Sequence, residues 1–380
     1  MTLALDFARD GAAAPFAAVD ILFDTEAAVA ALASLSTRGG AYQSAAFVDA
    51  WARAFAARLA VALARDAAGE IVAALPLHLT RWGPLRVARF AGEGWANYQF
   101  GLFCVPADWR GEDVRAFLTQ AARTAGVDLY AFMHCPPETA GAANPLFTLT
   151  GTPSPSPALA TRLPASHSDW LDAHFSRATQ KKLRKKLRKL DVFGAVACQR
   201  AGETTQARRF LDALLAHKAE QARARGEPDL FAQAPVRDLL RRLVDGGTLE
   251  IHALTAGERV IAVFGALACG RRLSGLVLSH DICEDVAAAT PGVQLLAEVV
   301  RDAIARGFET LDLGVGDSRY KRETCEIEEP LRDLAFGATA SGRLAAPVYL
   351  GVRTAMGAIK RRPALYERAM ALKYKLTRTR

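Results

Sequence analysis

Two short segments contain the residue types whose spacing could support chemistry. The first runs from Gly314 to Lys321 and reads Gly-Val-Gly-Asp-Ser-Arg-Tyr-Lys, directly after an apolar run. Glycines let the backbone approach a ligand closely, a tyrosine can protonate a leaving thiolate, and a lysine can pair with phosphate. We therefore take Asp317, Tyr320 and Lys321 as site candidates. The alternative is an ordinary turn with a capping aspartate and two surface side chains.

The second segment is Pro291-Gly292-Val293, at the start of an apolar-striped helix. Backbone N–H groups at a helix N-terminus have no partner inside the helix and can bind phosphate oxygens. This predicts that these three residues bind an anionic cofactor. The alternative is a simple helix start, with Thr290 as N-cap and Pro291 at the first helical position.

One predicted supersecondary unit positions both segments. Apolar patterning predicts a strand over Leu273–Ser279, a helix over Val293–Arg306 and a second strand over Thr310–Leu313. A strand, a helix and a strand in this order make a parallel crossover. The loop that opens onto the helix is a natural place for an anionic cofactor.

The chain repeats one plan in its two halves. The predicted hairpin LAVALARDAAGEIVAALPL, from Leu59, resembles LEIHALTAGERVIAVFGAL, from Leu249, which indicates an internal duplication. Between the halves, a Pro- and Ser-rich segment predicts a linker, because proline stops both helices and sheets. A last strand pair is predicted at Leu331–Gly337 and Arg343–Ala346. The predicted divisions are an N-terminal domain over 1–150, a linker over 151–168, a C-terminal domain over 169–346 and a basic amphipathic C-terminal helix or tail over 347–380.

Composition restricts the classes of function. The 380-residue chain is 51% apolar and 23% charged, as in ordinary globular proteins, and its net charge of +8 favours anionic partners. Its six cysteines include no CxxC pair, so we expect neither a disulfide framework nor a metal site. The N-terminus lacks a signal-peptide pattern, and no apolar run is long enough to span a bilayer. We therefore expect a cytoplasmic protein.

Four sequence features, taken in order, resemble a known family. They are the basic helix SRATQKKLRKKLRKL, the strand LSGLVLSHD, the helix and strand TPGVQLLAEVVRDAIARGFETLDLG, and the closing GVGDSRYKRE. With these features the second half resembles a GNAT-fold acetyltransferase, in particular the bacterial CelD-like group associated with cellulose and exopolysaccharide biosynthesis. The first half, with YQSAAFVDAWARAF and AALPLHLT, is similar to the degenerate N-terminal part of that group.

The resemblance implies a fold and an activity. The expected fold class is α+β (mixed α/β), with two tandem GNAT-like domains, each a mixed, mostly antiparallel sheet flanked by helices. The expected activity moves an acyl group from acetyl-CoA, or another acyl-CoA, to an amine or hydroxyl of a small molecule or saccharide. The acceptor would lie in the cleft between the halves. Pro291, Gly292, Val293 and Lys321 would bind the CoA, and Tyr320 and Asp317 would be catalytic.

Direct attack on a thioester also needs a base near the strand before the loop. His280 ends that strand and is our candidate catalytic base, while His252 and Glu250 share one face of another strand. A lone histidine can equally be a structural, hydrogen-bonded residue. Cys283 could be a nucleophile, but no partner histidine is identifiable.

The cofactor loop departs from the family pattern. Where GNAT enzymes have a Gln/Arg-x-x-Gly-x-Gly/Ala loop over the CoA pyrophosphate, this chain reads Ala288-Ala-Thr-Pro-Gly-Val-Gln-Leu, with one glycine and no arginine. Two alternatives therefore stay open. One is a Fem-type transferase, which uses aminoacyl-tRNA, and the other is a catalytically degenerate scaffold at the membrane periphery.

Two basic segments suggest a further partner. Lys181–Lys189 places leucines on one helical stripe with cations around it, and the tail from 347 onwards interleaves cations with apolar residues. Each segment could be a solvated helix face, or could contact anionic lipid headgroups. We predict peripheral contact with an anionic (inner) membrane, and contact with nucleic acid only if the tRNA-dependent alternative holds.

Overall fold

The computed structural model describes residues 14–35, 40–139, 141–360 and 362. Two large sheets flanked by helices account for most of these residues, which confirms the mixed α/β class and its largely antiparallel sheets. A small pair of strands, β7 (Glu138–Thr139) and β8 (Ala142–Ala143), stands apart from both sheets.

The first sheet is antiparallel except at one strand pair, β4 and β6, which are parallel. Helix α3 connects these two strands, so they form a crossover. In spatial order its strands are β1 (Ala18–Leu22), β2 (Leu59–Arg65), β3 (Ile71–Trp82), β4 (Leu85–Phe90), β6 (Leu129–Cys135), β17 (Arg332–Gly337) and β9 (Gly151–Pro153), with β5 (Leu102–Phe103) beside β3. The helices of this half are α1 (Thr25–Ser34), α2 (Ala45–Ala54) and α3 (Gly111–Ala125).

The second sheet repeats this plan, with β14 and β15 as its one parallel pair and α9 between them. In spatial order its strands are β11 (Val196–Arg200), β12 (Leu249–Ala256), β13 (Arg259–Cys269), β14 (Arg272–His280), β15 (Thr310–Val315), β10 (Ala158–Arg162) and β16 (Ile327–Glu329). The remaining helices are α4 (His167–His174), α5 (Arg177–Arg188), α6 (Thr204–Arg225), α7 (Ala234–Asp245), α8 (Glu284–Ala287), α9 (Pro291–Ala305), α10 (Arg319–Thr324) and α11 (Ala340–Lys360). The two similar hairpins of the sequence are β2–β3 and β12–β13, which occupy equivalent positions in the two sheets.

The two halves exchange strands, which corrects the predicted division of the chain. Strand β10, before the second half, joins the second sheet, while β17, after it, pairs with β6 of the first sheet. The predicted linker 151–168 therefore contains β9 and β10. Its prolines do not prevent pairing, because Pro153 ends β9 and Pro155 and Pro157 lie between the two strands, where no continuous ladder is needed.

The predicted final strand pair is half wrong. Leu331–Gly337 corresponds to β17, but Arg343–Ala346 lies inside α11, which begins at Ala340 and continues through Pro347. Short apolar runs do not distinguish a strand from a helix by pattern alone, so the start of α11 was missed, whereas the helix predicted from 347 onwards is present as far as Lys360. Of the predicted basic tail, residue 361 and residues 363–380 lie outside the described residues.

A shared core holds the halves together. One continuous cluster of buried side chains includes Phe47 and Trp51 of α2 together with Leu239 and Leu243 of α7. Burying this much apolar surface between the sheets keeps their relative position fixed. The site described next depends on that position, because side chains of one half bond to strands of the other.

Candidate functional site

The parallel strands β14 and β15 pair only at their first residues and then separate. Their paired residues run from Arg272 opposite Thr310 to Ser274 opposite Asp312. Beyond Ser274 the two strands are no longer neighbours, and a cavity of about 630 Å³ lies where they diverge. This cavity brings together the seven residues predicted to bind the cofactor or to be catalytic: His280, Pro291, Gly292, Val293, Asp317, Tyr320 and Lys321.

The N-terminus of α9 faces this cavity without a side-chain cap. Thr290 occupies the N-cap position in a left-handed conformation, with φ of 54°, and its hydroxyl donates to the Ala289 carbonyl rather than to the helix. A β-branched residue is strained in that conformation, and such strain is typical of functional sites. Val293 and Gln294 donate their N–H groups to the Thr290 carbonyl. Pro291 has no N–H. The N–H of Gly292 is therefore the one in this first turn that does not bond within the helix.

Protein packing does not require a glycine at Gly292. A Cβ atom added there would lie 3.6 Å from Leu278 Cδ2 and 3.9 Å from His280 Cδ2, which are ordinary van der Waals distances. The backbone of Gly292 is therefore open on the side that faces the cavity. A ligand that approaches the peptide closely is a sufficient reason for a glycine here.

Helix α6 supplies three further lining residues that were not predicted, Lys218, Gln221 and Arg225. Gln221 donates to the His280 carbonyl at 2.7 Å, which fixes α6 against the end of β14. Burial, together with the positive charge of nearby Arg225, lowers the pKa of Lys218 to about 8. The spacing of three and four residues places all three on one helix face, which was a usable signal in the sequence.

Tyr320 lies at the cavity with its hydroxyl protonated at neutral pH. Burial raises the pKa of this phenol to about 12. A phenol that keeps its proton can donate it to a thiolate as the thiolate forms. The structure is thus consistent with the predicted acid role of Tyr320.

Lys321 and Asp317 occupy different roles from those predicted. The Lys321 side chain is buried, and its ammonium donates to the carbonyl oxygens of Gly314 and Val315 at 3.1 and 3.0 Å. It therefore caps the end of β15 rather than presenting a free cation to phosphate. The Asp317 carboxylate accepts two hydrogen bonds of 2.8 Å from Arg322, which hold its pKa below the usual range. A carboxylate paired in this way is a poor proton acceptor.

His280 retains the geometry of a base. Its Nδ1 lies 3.0 Å from the carbonyl oxygen of Asp281, which can only accept, so Nδ1 carries the proton and Nε2 is the basic nitrogen of the neutral ring. The adjacent Cδ2 atom is on the side of Gly292. By contrast, His252 is buried on β12, opposite Arg200 of β11, and lines neither this cavity nor the one between the halves.

Asn97, from the first half, fills the point where β14 and β15 begin to separate. Its amide donates to the Gly275 carbonyl of β14 at 3.0 Å and accepts from the Val315 N–H of β15 at 3.1 Å. Tyr42 reinforces this bridge by donating to the same Gly275 carbonyl. Gly314 must lack a side chain, because a Cβ there would lie 2.2 Å from the Asn97 amide nitrogen. The first half is therefore part of the site's framework.

A second cavity, of about 800 Å³, lies between the halves beside this bridge. Asp312 is fully buried below it and accepts hydrogen bonds from the Tyr98 hydroxyl at 2.9 Å and the Gly314 N–H at 2.7 Å. Arg272 links the same tyrosine hydroxyl to Glu329. The Oε1 atom of Gln43 is buried at the cavity wall without a partner among the described residues. Such an acceptor can bind an N–H or O–H group of a ligand.

Metal binding has no comparable support. No cluster of three or more His, Cys, Asp or Glu residues in the described part of the chain is arranged to hold a metal ion. Likewise, no helix in that part is long and apolar enough to cross a membrane.

Known proteins share the fold of nearly the whole chain. The crystal structure of FemX covers 87% of this chain and all (100%) of its own, with 10% identity and a TM-score of 0.58. A second match is the C-terminal domain (DUF2156) of a protein from Agrobacterium fabrum that is described as a lysylphosphatidylglycerol synthetase. It covers 87% of this chain and 97% of that domain, with 14% identity and a TM-score of 0.51. The match to L-PGS from Bacillus licheniformis covers 89% of this chain and 98% of L-PGS, with 11% identity and a TM-score of 0.50. No protein of curated function matches the chain.

The second half also matches a family model. Residues 177–322 match Acetyltransf_6, described as an acetyltransferase (GNAT) domain. This range extends from the start of α5 through the end of the Gly314–Lys321 turn, and so includes every lining residue of the cavity between β14 and β15. Residues 177–322 are therefore similar to a GNAT-type acetyltransferase domain, and they lie within a two-sheet fold that FemX shares.

Proposed function

We propose that the protein is an acyltransferase of GNAT type that binds acyl-CoA, with acetyl-CoA as the simplest donor, in the cavity between β14 and β15. The observation that carries this proposal is the uncapped N-terminus of α9, with the open Gly292 amide, at a cavity also lined by Lys218 and Arg225. A helix N-terminus and two cations suit the phosphate groups of CoA. These cations stand in place of the arginine that is missing from the loop.

The chain's own side chains suit direct transfer. In this mechanism His280 Nε2 takes a proton from the acceptor's amine or hydroxyl as that group attacks the thioester carbonyl. The C–S bond breaks, Tyr320 donates its proton to the leaving thiolate, and the products are the acylated acceptor and free CoA thiol. Holding the two reactants together supplies most of the rate, with the base and the acid assisting.

We further propose that the acceptor binds in the cavity between the halves. Aromatic side chains of Tyr42, Tyr98 and Phe100 line it together with the polar groups of Arg272 and Glu329. Aromatic faces with a few fixed polar groups suit a saccharide or a small amine. The similarity of the sequence motifs to the CelD-like group favours a saccharide of the cell envelope or an exopolysaccharide.

Calorimetric titration with acetyl-CoA tests the donor. We expect saturable binding by the wild-type protein, and a rise in Kd of about tenfold in Gly292→Ala, since the added methyl group would displace the phosphate from the amide. Gly202→Ala is the matched control, because a Cβ there meets nothing within 4 Å and the residue is far from the cavity in sequence. Unchanged binding in Gly292→Ala, with an unchanged melting temperature, would contradict the proposed donor site.

A Fem-type transfer from aminoacyl-tRNA is the second candidate. The fold shared with FemX and the exposed cations of α5 favour it. It predicts tRNA binding that weakens steeply with salt, with a Kd that rises at least about tenfold between 50 and 200 mM salt. Salt-independent or absent tRNA binding beside clear CoA binding removes this candidate. If the protein binds neither tRNA nor CoA, the remaining alternative is a non-catalytic scaffold.

A further inference from the structure

Helix α11 presents an apolar face to solvent. Leu344, Val348, Val352 and Met356 recur every four residues and are 77%, 55%, 50% and 39% exposed. Residues at this spacing share one side of a helix. Pro347, Gly351 and Ala355 are also exposed on this side, so the face contains no charged residue between Leu344 and Met356, and Arg343 and Lys360 lie at its two ends. An exposed apolar stripe of this length on a single helix marks an interaction surface.

The orientation of α11 is fixed by its opposite face. Tyr349 and Leu350 are buried against β6, in one cluster with Leu129 and Ala131. Arg353 forms an ion pair with Asp333 of β17, whose carboxylate is fully buried. The helix therefore cannot rotate to bury its apolar face without breaking a buried ion pair, and the face stays directed outward.

The positive charge of the whole protein is concentrated at this end of the chain. Residues 340–380 contain ten of the 48 Lys and Arg residues and one of the 40 Asp and Glu residues. The other 339 residues thus carry 38 cations and 39 anions, a net charge of −1, so the overall charge of +8 comes from this segment. Within α11 itself there is no acidic residue.

We propose that α11 docks on an anionic lipid membrane, with the Leu344–Met356 stripe in the interface. A helix that combines an apolar face with cations and no acidic residue is the form that lies in the plane of a bilayer surface. The cations add attraction to anionic headgroups. A second copy of the chain fits less well, because it would bring two strongly basic segments together. Nucleic acid also fits less well, because phosphates leave an apolar stripe without a partner.

This docking surface is separate from the proposed donor site. None of the residues that line the cavity between β14 and β15 belongs to α11. Membrane binding can therefore be tested on the full-length protein without altering the residues proposed to bind CoA.

Vesicle co-sedimentation tests the proposal with two lipid mixtures. We expect binding to phosphatidylcholine vesicles that contain about 30% phosphatidylglycerol, and little binding to phosphatidylcholine alone. Substituting serine at Leu344, Val348 and Val352 together should lower the partition coefficient at least about tenfold, since three apolar side chains leave the interface. About 0.5 M NaCl should also weaken the binding of the wild-type protein to anionic vesicles, because it screens the attraction to the headgroups.

The matched control replaces another leucine and two other valines by serine: Leu230, Val105 and Val192, which are 60%, 52% and 79% exposed and lie elsewhere on the surface. Circular dichroism and the melting temperature check that both triple variants fold. Equal vesicle binding by the α11 variant and the control, or no binding of wild-type protein to anionic vesicles, overturns the proposal. A wild-type dimer that the α11 variant converts to a monomer would overturn it as well, because the stripe would then be a protein interface.

Discussion

The two crossovers of this protein have the same topology, but one encloses a cavity and the other is closed. In the second half, β14 and β15 separate beyond Ser274 and leave the proposed donor cavity. In the first half, β4 and β6 pair over Val87 and Ala88 only, but the space beyond is filled. The rings of Phe90 and Phe132, one from each strand, pack with centroids 4.4 Å apart.

The N-termini of the two crossover helices, α3 and α9, also differ in whether they can accept an anion. Helix α3 has Glu112 and Asp113 in its first turn, and Asp113 accepts the Arg110 N–H at 3.0 Å. Helix α9 has no acidic residue in its first turn and no side-chain cap. A carboxylate at a helix start satisfies the amides that a phosphate would bind and repels the phosphate itself. The first crossover therefore cannot serve as an anion site, whereas the second can.

One extended loop connects the two crossovers. Gln99 accepts the Met133 N–H of β6 at 3.1 Å, while Asn97, two residues earlier, bridges β14 and β15. Two side chains of one loop thus reach different sheets, so this loop contributes to the framework of both crossovers. In the proposed arrangement, the second half binds the donor and the first half supports its site.

The largest effect should come from Tyr320→Phe. If Tyr320 protonates the thiolate, kcat should fall about 100-fold while the Kd for acetyl-CoA stays the same, because the hydroxyl acts in the transition state. Steady-state kinetics with calorimetry measures both values. Tyr130→Phe on β6 is the counterpart in the closed crossover; it removes a hydrogen bond to the Leu118 carbonyl and should lower stability but not kcat per folded molecule. Full activity in Tyr320→Phe would exclude it as the acid.

Asn97→Ala should destabilise the protein by about 2 kcal/mol, because the Val315 N–H loses its partner and the Gly275 carbonyl keeps only the Tyr42 hydroxyl. Urea unfolding measures this change. Gln99→Ala removes the equivalent bond in the closed crossover and should cost a similar amount. Asn97→Ala alone should also weaken acetyl-CoA binding, since it loosens the mouth of the cavity. Equal affinity for acetyl-CoA in the two variants would show that the Asn97 bridge does not affect donor binding.

Val293→Asp should raise the Kd for acetyl-CoA about tenfold, since it gives α9 the acidic first turn of α3. The protein should still fold, because an aspartate favoured near a helix start offsets part of the packing that Val293 makes with the core. Calorimetric titration and thermal unfolding check the two statements. Undiminished affinity would show that phosphate does not approach this helix.

The smallest effect should be on pH dependence. The pKa of Lys218 is lowered to about 8, so its side chain is charged below that pH and neutral above it. Donor affinity should therefore fall, with a Kd rising about threefold, between pH 7.5 and 9 as the charge is lost. Lys218→Met should bind more weakly and without this pH dependence. A Kd that falls with rising pH would exclude Lys218 as a phosphate contact.

The crossover and its residues could be predicted because their signals are local. Apolar periodicity identified β14, α9 and β15, and the turns at Gly292 and Gly316 lie at the same edge of the sheet once that unit forms. The exchange of β10 and β17 could not be predicted, because pairing between residues as distant as Arg162 and Thr310, or Leu129 and Gly337, leaves no local pattern. Lys321 was misjudged for a related reason: the carbonyls that end β15 need donors, and only the fold places its ammonium beside them.

Hydrogen–deuterium exchange with and without acetyl-CoA tests the central comparison most directly. Both crossovers are measured in the same sample, so each is the control for the other. We predict slower exchange in peptides that cover residues 275–293 and 314–321, and no change in peptides that cover residues 91–113. Protection of the first crossover, or no protection at either, would contradict the assignment of the donor site to the second half.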